Sequence, residues 1–112
     1  MRNVGRVWSV TAVLGVALAV IGLNLVPVHA QGTPEGLYKA KCAVCHGPDG
    51  KGDTVMGKKL AVKSFQSPEV AKESDTELFD ITKKGKGKMP GYDKKLTDDQ
   101  IKELVKYIRS LK

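Results

Sequence analysis

The chain has 112 residues and carries 19 Lys and Arg against 12 Asp and Glu, a formal net charge of +7. Nearly all of this positive charge comes from lysine, and such scarcity of arginine argues against a protein that binds nucleic acid. With two cysteines and two histidines in total, the chain also lacks the second ligand pair that a four-ligand zinc site requires.

Residues 1–30 have the features of an export signal. Two arginines precede a long apolar run, and Val28 and Ala30 place small residues at positions −3 and −1 of a cleavage site. The run is also long enough to span a bilayer, so an uncleaved anchor is the alternative. We expect cleavage after Ala30 and a periplasmic, or equivalent extracytoplasmic, location for residues 31–112.

Cleavage would leave 82 residues, and a domain of this size buries too little apolar surface to be more than marginally stable by itself. We therefore expect a bound group to complete its core. The formal net charge of residues 31–112 is +5, because two basic residues lie in the leader. His29 also lies there, which leaves His46 as the single histidine of the domain.

The first predicted helix leads into a thiol and imidazole motif. Thr33 can cap this helix and Pro34 suits its first position. Cys42 and Cys45 then lie three residues apart, on one face of a helical turn, and His46 follows directly. This spacing is the attachment signature of haem c, in which two cysteines bond the porphyrin and the histidine coordinates the iron.

Other uses of the two cysteines are less compatible with the sequence. A disulfide between Cys42 and Cys45 would close too short a loop to stabilise the chain much. A thioredoxin-like dithiol requires a βαβ setting, and no strand alternation surrounds this motif. We therefore predict one haem c with its iron, attached through Cys42 and Cys45 and coordinated by His46.

The composition of the domain limits the candidates for the second axial ligand of the iron. A domain with one histidine excludes bis-histidine ligation, so the sixth ligand is a methionine, a weaker group or none. Met56 follows His46 by only ten residues and is expected to fill the core. Met89 lies 43 residues after His46, and Pro90 keeps it off a helix. We favour Met89 as the iron ligand.

The remaining elements predict one all-α domain. The glycine-rich segment 47–53 is expected to form a turn close to the haem, because the setting of a phosphate or calcium loop is absent. Ser74 begins a capping box for a helix that stops at Gly85, and Thr97 begins another for the last helix. That helix carries an apolar stripe formed by Ile101, Leu104, Val105, Ile108 and Leu111.

The haem motif after a short helix, the Met89-Pro90 strap and the terminal helix resemble the class I c-type cytochromes, which include mitochondrial cytochrome c and many bacterial carriers. The resemblance covers residues 33–112. It implies a cytochrome c-like fold of three to four short helices around a covalently attached haem, with the first and last helices crossing beside it. The family commonly has a glycine two turns before the first cysteine, where this chain has Pro34.

The same resemblance implies that Cys42 and Cys45 form the thioethers, with His46 and Met89 as the two axial ligands. Iron with both axial positions filled has no open site for a substrate, which suits outer-sphere electron transfer. We also find no catalytic triad or paired catalytic carboxylates. The sequence thus predicts an electron carrier and not an enzyme. The alternatives are a haem ligand-binding or sensor protein and a membrane-anchored cytochrome subunit of a redox complex.

A group of lysines indicates how such a carrier would meet its partners. The group precedes Met89 directly and consists of Lys83, Lys84, Lys86 and Lys88. These lysines either form an ordinary solvated face or steer redox proteins with acidic docking faces toward the haem. We expect a monomer that contacts membranes only through partner complexes or through an uncleaved anchor.

Overall fold

The computed structural model describes residues 32–111, so the predicted leader at residues 1–30 lies outside the described part and its cleavage stays a prediction. No helix within residues 32–111 is long and apolar enough to cross a membrane. The described residues form six helices, and their only extended pairing is one isolated bridge. The helices are α1 (Pro34–Lys41), α2 (Ala43–His46), α3 (Val55–Lys59), α4 (Pro68–Ala71), α5 (Asp75–Lys84) and α6 (Asp98–Ser110).

The prediction of an all-α domain is confirmed, with more helices than the expected three to four. The additional elements, α2 to α4, contain only four or five residues each. Such short helices have no apolar stripe for a sequence to reveal, since they span little more than one turn. Thr54 caps α3 and Ser67 caps α4, whereas α2 has no side-chain cap, and all three depend on contacts with the rest of the domain.

The longer helices α1, α5 and α6 begin directly after the capping residues that the sequence predicted for them. The Thr33 hydroxyl accepts a hydrogen bond from the Gly36 amide at the start of α1. Both hydrogen bonds of a capping box are present at Ser74 in α5 and again at Thr97 in α6. Each box satisfies two backbone donors that a helix start would otherwise leave unpaired. The starts of these helices are therefore determined by local sequence.

The core lies where α1 crosses α6. Tyr38 is fully buried there, together with Ile101 and Leu104, and its ring lies 5.2 Å from that of Tyr107 between centroids. Gly36 lies exposed near the beginning of α1. The predicted crossing of the first and last helices is therefore present, and an aromatic ring fills it.

Ion pairs join opposite ends of α5 and α6. Arg109 Nε, near the end of α6, donates to Asp75 at the start of α5 over 3.0 Å. Lys83, near the end of α5, lies 2.8 Å from the Asp98 carboxylate at the start of α6. The two helices thus run antiparallel, and exposed pairs of this kind contribute at most about 1 kcal/mol each. This arrangement directs the segment after α5 back toward α1.

Candidate haem site

The last four residues of the predicted attachment motif form the short helix α2, and Cys42 separates this helix from α1. Cys42 is the residue between the two helices and has φ −113° and ψ −39°. Its carbonyl accepts a hydrogen bond from the His46 amide over 2.9 Å. Gly47 ends α2 with φ 78°, a conformation that favours glycine. As a result Cys42, Cys45 and His46 all face one cavity.

The loop after this motif folds back under it. The Gly52 amide donates to the His46 carbonyl over 2.7 Å, and the buried Tyr38 hydroxyl donates to the Gly47 carbonyl over 2.7 Å. Burial raises the pKa of Tyr38, so its hydroxyl keeps the proton that it donates. These bonds hold the backbone beside His46 from two sides.

The His46 side chain is in a state suited to coordinate a metal. Its ring stacks on Phe65 with centroids 4.6 Å apart and planes 20° apart. Burial lowers the pKa of this imidazole, which favours the neutral form that ligates metals. Nδ1 is buried and has no hydrogen-bond partner among the described residues, so this nitrogen is not committed to another protein group.

Met89 lies on a short strap that leaves the end of α5. Lys86 and Met89 exchange two backbone hydrogen bonds of 3.1 and 3.0 Å, which close a tight turn. Beyond it, the Tyr92 amide donates to the Thr82 carbonyl over 3.0 Å, and the Tyr92 hydroxyl donates to the Lys41 carbonyl over 3.0 Å. The strap is thereby tied to α5 on one side and to the end of α1 on the other.

The motif and the strap enclose one cavity of about 410 Å³. This volume and its mostly apolar lining are typical of a cofactor site, for which about 300–1,000 Å³ is usual. Cys42, Cys45, His46 and Met89 all line it, whereas Met56 does not and is 40% exposed. The apolar lining comes from Leu60, Val62, Phe65, Val70, Leu78, Ile81, Leu104 and Ile108.

Part of this lining could not be expected from the sequence. Leu60 and Val62 follow the short helix α3, and Val70 lies in the short helix α4; these segments are too short to show periodicity, so only the fold brings the three residues to the cavity. Charged side chains also line the cavity, and the sequence predicted none of them as an attachment residue or an iron ligand. They are Lys41, Lys63, Glu69, Glu73, Lys86 and Lys88.

The residues present fit a covalently attached haem. Two thiols and a neutral imidazole lie beside one apolar cavity that a thioether also lines, and this set of donors matches haem c. Burial raises the pKa of the Cys42 thiol to about 11, so before attachment this sulfur is protonated at neutral pH. The unpartnered Nδ1 of His46 agrees with a site that is completed by another group.

Comparison with known proteins identifies the family. The family model described as cytochrome c oxidase, cbb3-type, subunit III matches residues 29–108. The chain belongs to this family. The cbb3-type cytochrome c oxidase subunit CcoP of Azospirillum brasilense is 29% identical over 100 residues, covering 86% of this chain and 34% of that protein. The chain thus spans about a third of the length of this relative.

Solved structures agree with this assignment. The c-type cytochrome KustC0563 superposes with a TM-score of 0.66 and 32% identity, over 72% of this chain and 99% of its own. The c-type cytochrome XoxG from Methylobacterium extorquens AM1 superposes with a TM-score of 0.54 and 27% identity, over 69% of this chain and 46% of its own. Cytochrome c6C from Synechococcus sp. PCC 7002 superposes with a TM-score of 0.53 and 26% identity, over 67% of this chain and 88% of its own. The chain is a class I c-type cytochrome, related to electron-transfer proteins, and its cofactor is haem c with iron.

Proposed function

We propose that this cytochrome is a monohaem electron carrier, with thioethers to Cys42 and Cys45 and with His46 and Met89 as the axial ligands. The observation that supports this ligand pair is that one cavity is lined by both His46 and Met89. The competing thioether, Met56, lies outside the cavity. The residues of this proposal are the same ones that the sequence analysis favoured.

The haem supplies a one-electron couple, and the chain supplies its surroundings. Apolar side chains of α5 and α6 exclude water from the cavity, while α2 and the strap each present one ligand. A methionine paired with histidine favours the reduced state relative to two histidines, and burial adds to this preference. With His46 and Met89 both holding the iron, no position would be open for a substrate, and this supports a carrier and not an enzyme.

The strap is built to keep its ligand in place. Met89 lies within a turn closed by its two hydrogen bonds with Lys86, and Tyr92 ties the following residues to α5 and α1. Ligands held by such packing and hydrogen bonding are positioned before the reaction. A carrier of this kind changes oxidation state without exchanging ligands, which supports outer-sphere transfer.

Paired methionine variants of the haem-loaded protein test the ligand assignment. Met89→Ala should abolish the sulfur-to-iron charge-transfer band of the ferric protein, and Met56→Ala should retain it. The opposite result would refute Met89 as the ligand. Carbon monoxide should bind the ferrous Met89→Ala protein and not the ferrous wild type at neutral pH. Ready binding to the wild type would instead favour the haem ligand-binding or sensor alternative.

A second candidate is a cytochrome subunit held in a larger redox complex. It is favoured by the matched family and by the CcoP relative, which are both described as subunits of a cytochrome c oxidase. In this arrangement residues 1–30 are an uncleaved anchor, whereas in the carrier they are a cleaved export signal. Fractionation of host cells and N-terminal sequencing separate the two. A salt-resistant membrane form that begins at Met1 supports the subunit, and a periplasmic form that begins at Gln31 supports the carrier.

In both cases the cytochrome domain functions outside the cytoplasm and exchanges electrons with redox proteins. As a carrier it acts as a monomer, and the lysine excess of residues 31–112 favours partners with acidic docking faces. Analytical ultracentrifugation of the haem-loaded domain tests the oligomeric state. A dimer at micromolar concentration would contradict the monomeric carrier.

A further inference from the structure

The imidazole of His46 is not oriented by a hydrogen bond from its buried nitrogen. In most metal sites, the ring nitrogen that does not bind the metal donates to a carboxylate or a backbone carbonyl, and this bond fixes the orientation of the ring. Nδ1 of His46 is buried and has no such partner within residues 32–111. The torsion that turns a histidine ring is intrinsically broad, so packing has to limit it here.

One aromatic ring covers a face of this imidazole. The centroid of the Phe65 ring lies 4.6 Å from that of His46, and the two planes are only 20° apart, so the rings are stacked. Aromatic pairs of this kind contribute about 0.5–1.5 kcal/mol beyond the area that they bury. Turning the imidazole out of its plane would lose the stacking and push a ring edge into the face of Phe65. The stacked pair therefore selects one plane for the histidine.

Phe65 is itself held from two parts of the chain. Its amide donates to the Gly50 carbonyl over 2.8 Å, and its ring meets the edge of the Tyr38 ring at 6.4 Å between centroids. A Cβ at residue 50 would lie 2.5 Å from Cδ2 of Phe65, so glycine at this position lets the ring lie directly against the loop. The loop after the attachment motif and helix α1 thus keep Phe65 in place.

The second phenylalanine of the chain provides a contrast. Phe65 and Phe79 are both half-buried and both pack against the core around Tyr38. Phe65 lines the cavity together with His46, whereas Phe79 does not line it and instead faces the Lys83 amine at 5.6 Å. Contact with the histidine, and not burial, distinguishes the two rings.

We propose that Phe65 is a positioning residue, which sets the plane of the His46 imidazole for the iron by ring stacking in place of a hydrogen bond at Nδ1. This proposal rests on the proposed function, in which His46 is an axial ligand. The plane of an axial imidazole determines how unevenly the unpaired spin of ferric iron spreads over the porphyrin, and a ring that turns averages this unevenness. A fixed plane also keeps the ligand positioned while the iron changes oxidation state.

Proton NMR of the ferric, haem-loaded protein tests this role. Phe65→Leu removes the ring and keeps an apolar side chain, and it should narrow the spread of the haem-methyl shifts because the imidazole becomes free to turn. Phe65→Tyr keeps a ring at this position and should keep the wild-type spread. Gly50→Ala should narrow the spread as well, since its Cβ would meet the Phe65 ring at 2.5 Å.

Phe79→Leu is the matched control, because it removes a half-buried ring that does not line the cavity. Both leucine variants should lower the melting temperature, but only Phe65→Leu should change the haem-methyl shifts. A wild-type spread in Phe65→Leu or in Gly50→Ala would overturn the positioning role. A narrowed spread in Phe65→Tyr, or equal narrowing in Phe79→Leu, would overturn it too.

The proposed function is read separately from this role. The wild type and all these variants should keep a reversible one-electron titration and the ferric sulfur-to-iron band, since the strap holds Met89 through its own hydrogen bonds with Lys86. Loss of either property in the wild type would refute the carrier itself. Unchanged methyl shifts in Phe65→Leu with both properties intact would refute only the role of Phe65.

Discussion

Gly57 lies so close to Cys45 that a Cβ at residue 57 would stand 2.3 Å from the Cys45 carbonyl oxygen. The same Cβ would also stand 2.3 Å from the Gly52 carbonyl oxygen. Helix α3 therefore packs by its backbone directly against the attachment motif and the loop that follows it. Real Cβ atoms do not approach backbone oxygens this closely, so only glycine fits at residue 57 without displacing α2 or the loop.

We expect Gly57→Ala to lower the free energy of unfolding of the haem-loaded protein by about 3 kcal/mol, since the new methyl group meets two backbone carbonyls. Alanine is favoured over glycine in a helix by about 1 kcal/mol, which is too little to offset this clash. Guanidinium unfolding followed by circular dichroism measures the change. Gly87→Ala is the control, because its Cβ would meet nothing within 4 Å. Gly87→Ala should lower the free energy of unfolding by only about 1 kcal/mol, because residue 87 has a positive φ. Equal losses of stability in the two variants would contradict the close packing of Gly57 against the Cys45 and Gly52 carbonyls.

A second close approach governs the position of the methionine strap. A Cβ at Gly91 would lie 2.7 Å from the carbonyl oxygen of Lys84, at the end of α5. We expect Gly91→Ala to push the strap away from α5 and to weaken or abolish the ferric sulfur-to-iron band, while the haem stays attached. Gly87→Ala changes the same strap without a clash and should keep the band. A full-strength band in Gly91→Ala would show that the position of Met89 does not depend on this contact.

The capping box of α5 predicts a specific dependence on pH. The Ser74 amide donates to the Glu77 carboxylate over 2.6 Å and lowers the pKa of that group. A carboxyl with a lowered pKa in the folded state stabilises it above its ordinary pKa of about 4.3. That contribution is lost as the pH falls through the lowered pKa.

Glu77→Gln should therefore melt below the wild type at pH 7, because the charge at the helix start is gone. The difference between the two melting temperatures should shrink as the pH falls through the lowered pKa of Glu77, because the wild-type carboxylate then becomes protonated. Thermal unfolding of both proteins across this range measures it. Melting curves that stay equally far apart from pH 7 to pH 3 would contradict a stabilising charge at Glu77.

Local chemistry was sufficient to predict the cofactor and most of the helix boundaries. Cys42, Cys45 and His46 lie within about one helical turn, so their spacing indicates haem attachment without any long-range contact. The same holds for the boxes at Ser74 and Thr97, which satisfy backbone groups within three residues. The short helix α3 escaped a prediction because so few residues show no periodicity.

The arrangement of the site depended on contacts between distant parts of the chain. The sequence contains two methionines after His46, and packing of the strap against α5 and α1 brings Met89, but not Met56, to the cavity wall. It also contains a row of lysines, and only folding shows which of them meet carboxylates, as Lys83 meets Asp98. Residue spacing therefore determined the chemistry that this chain can perform. Long-range packing decided which side chains share the cavity and which charges stay free, because both depend on distances that no linear pattern encodes.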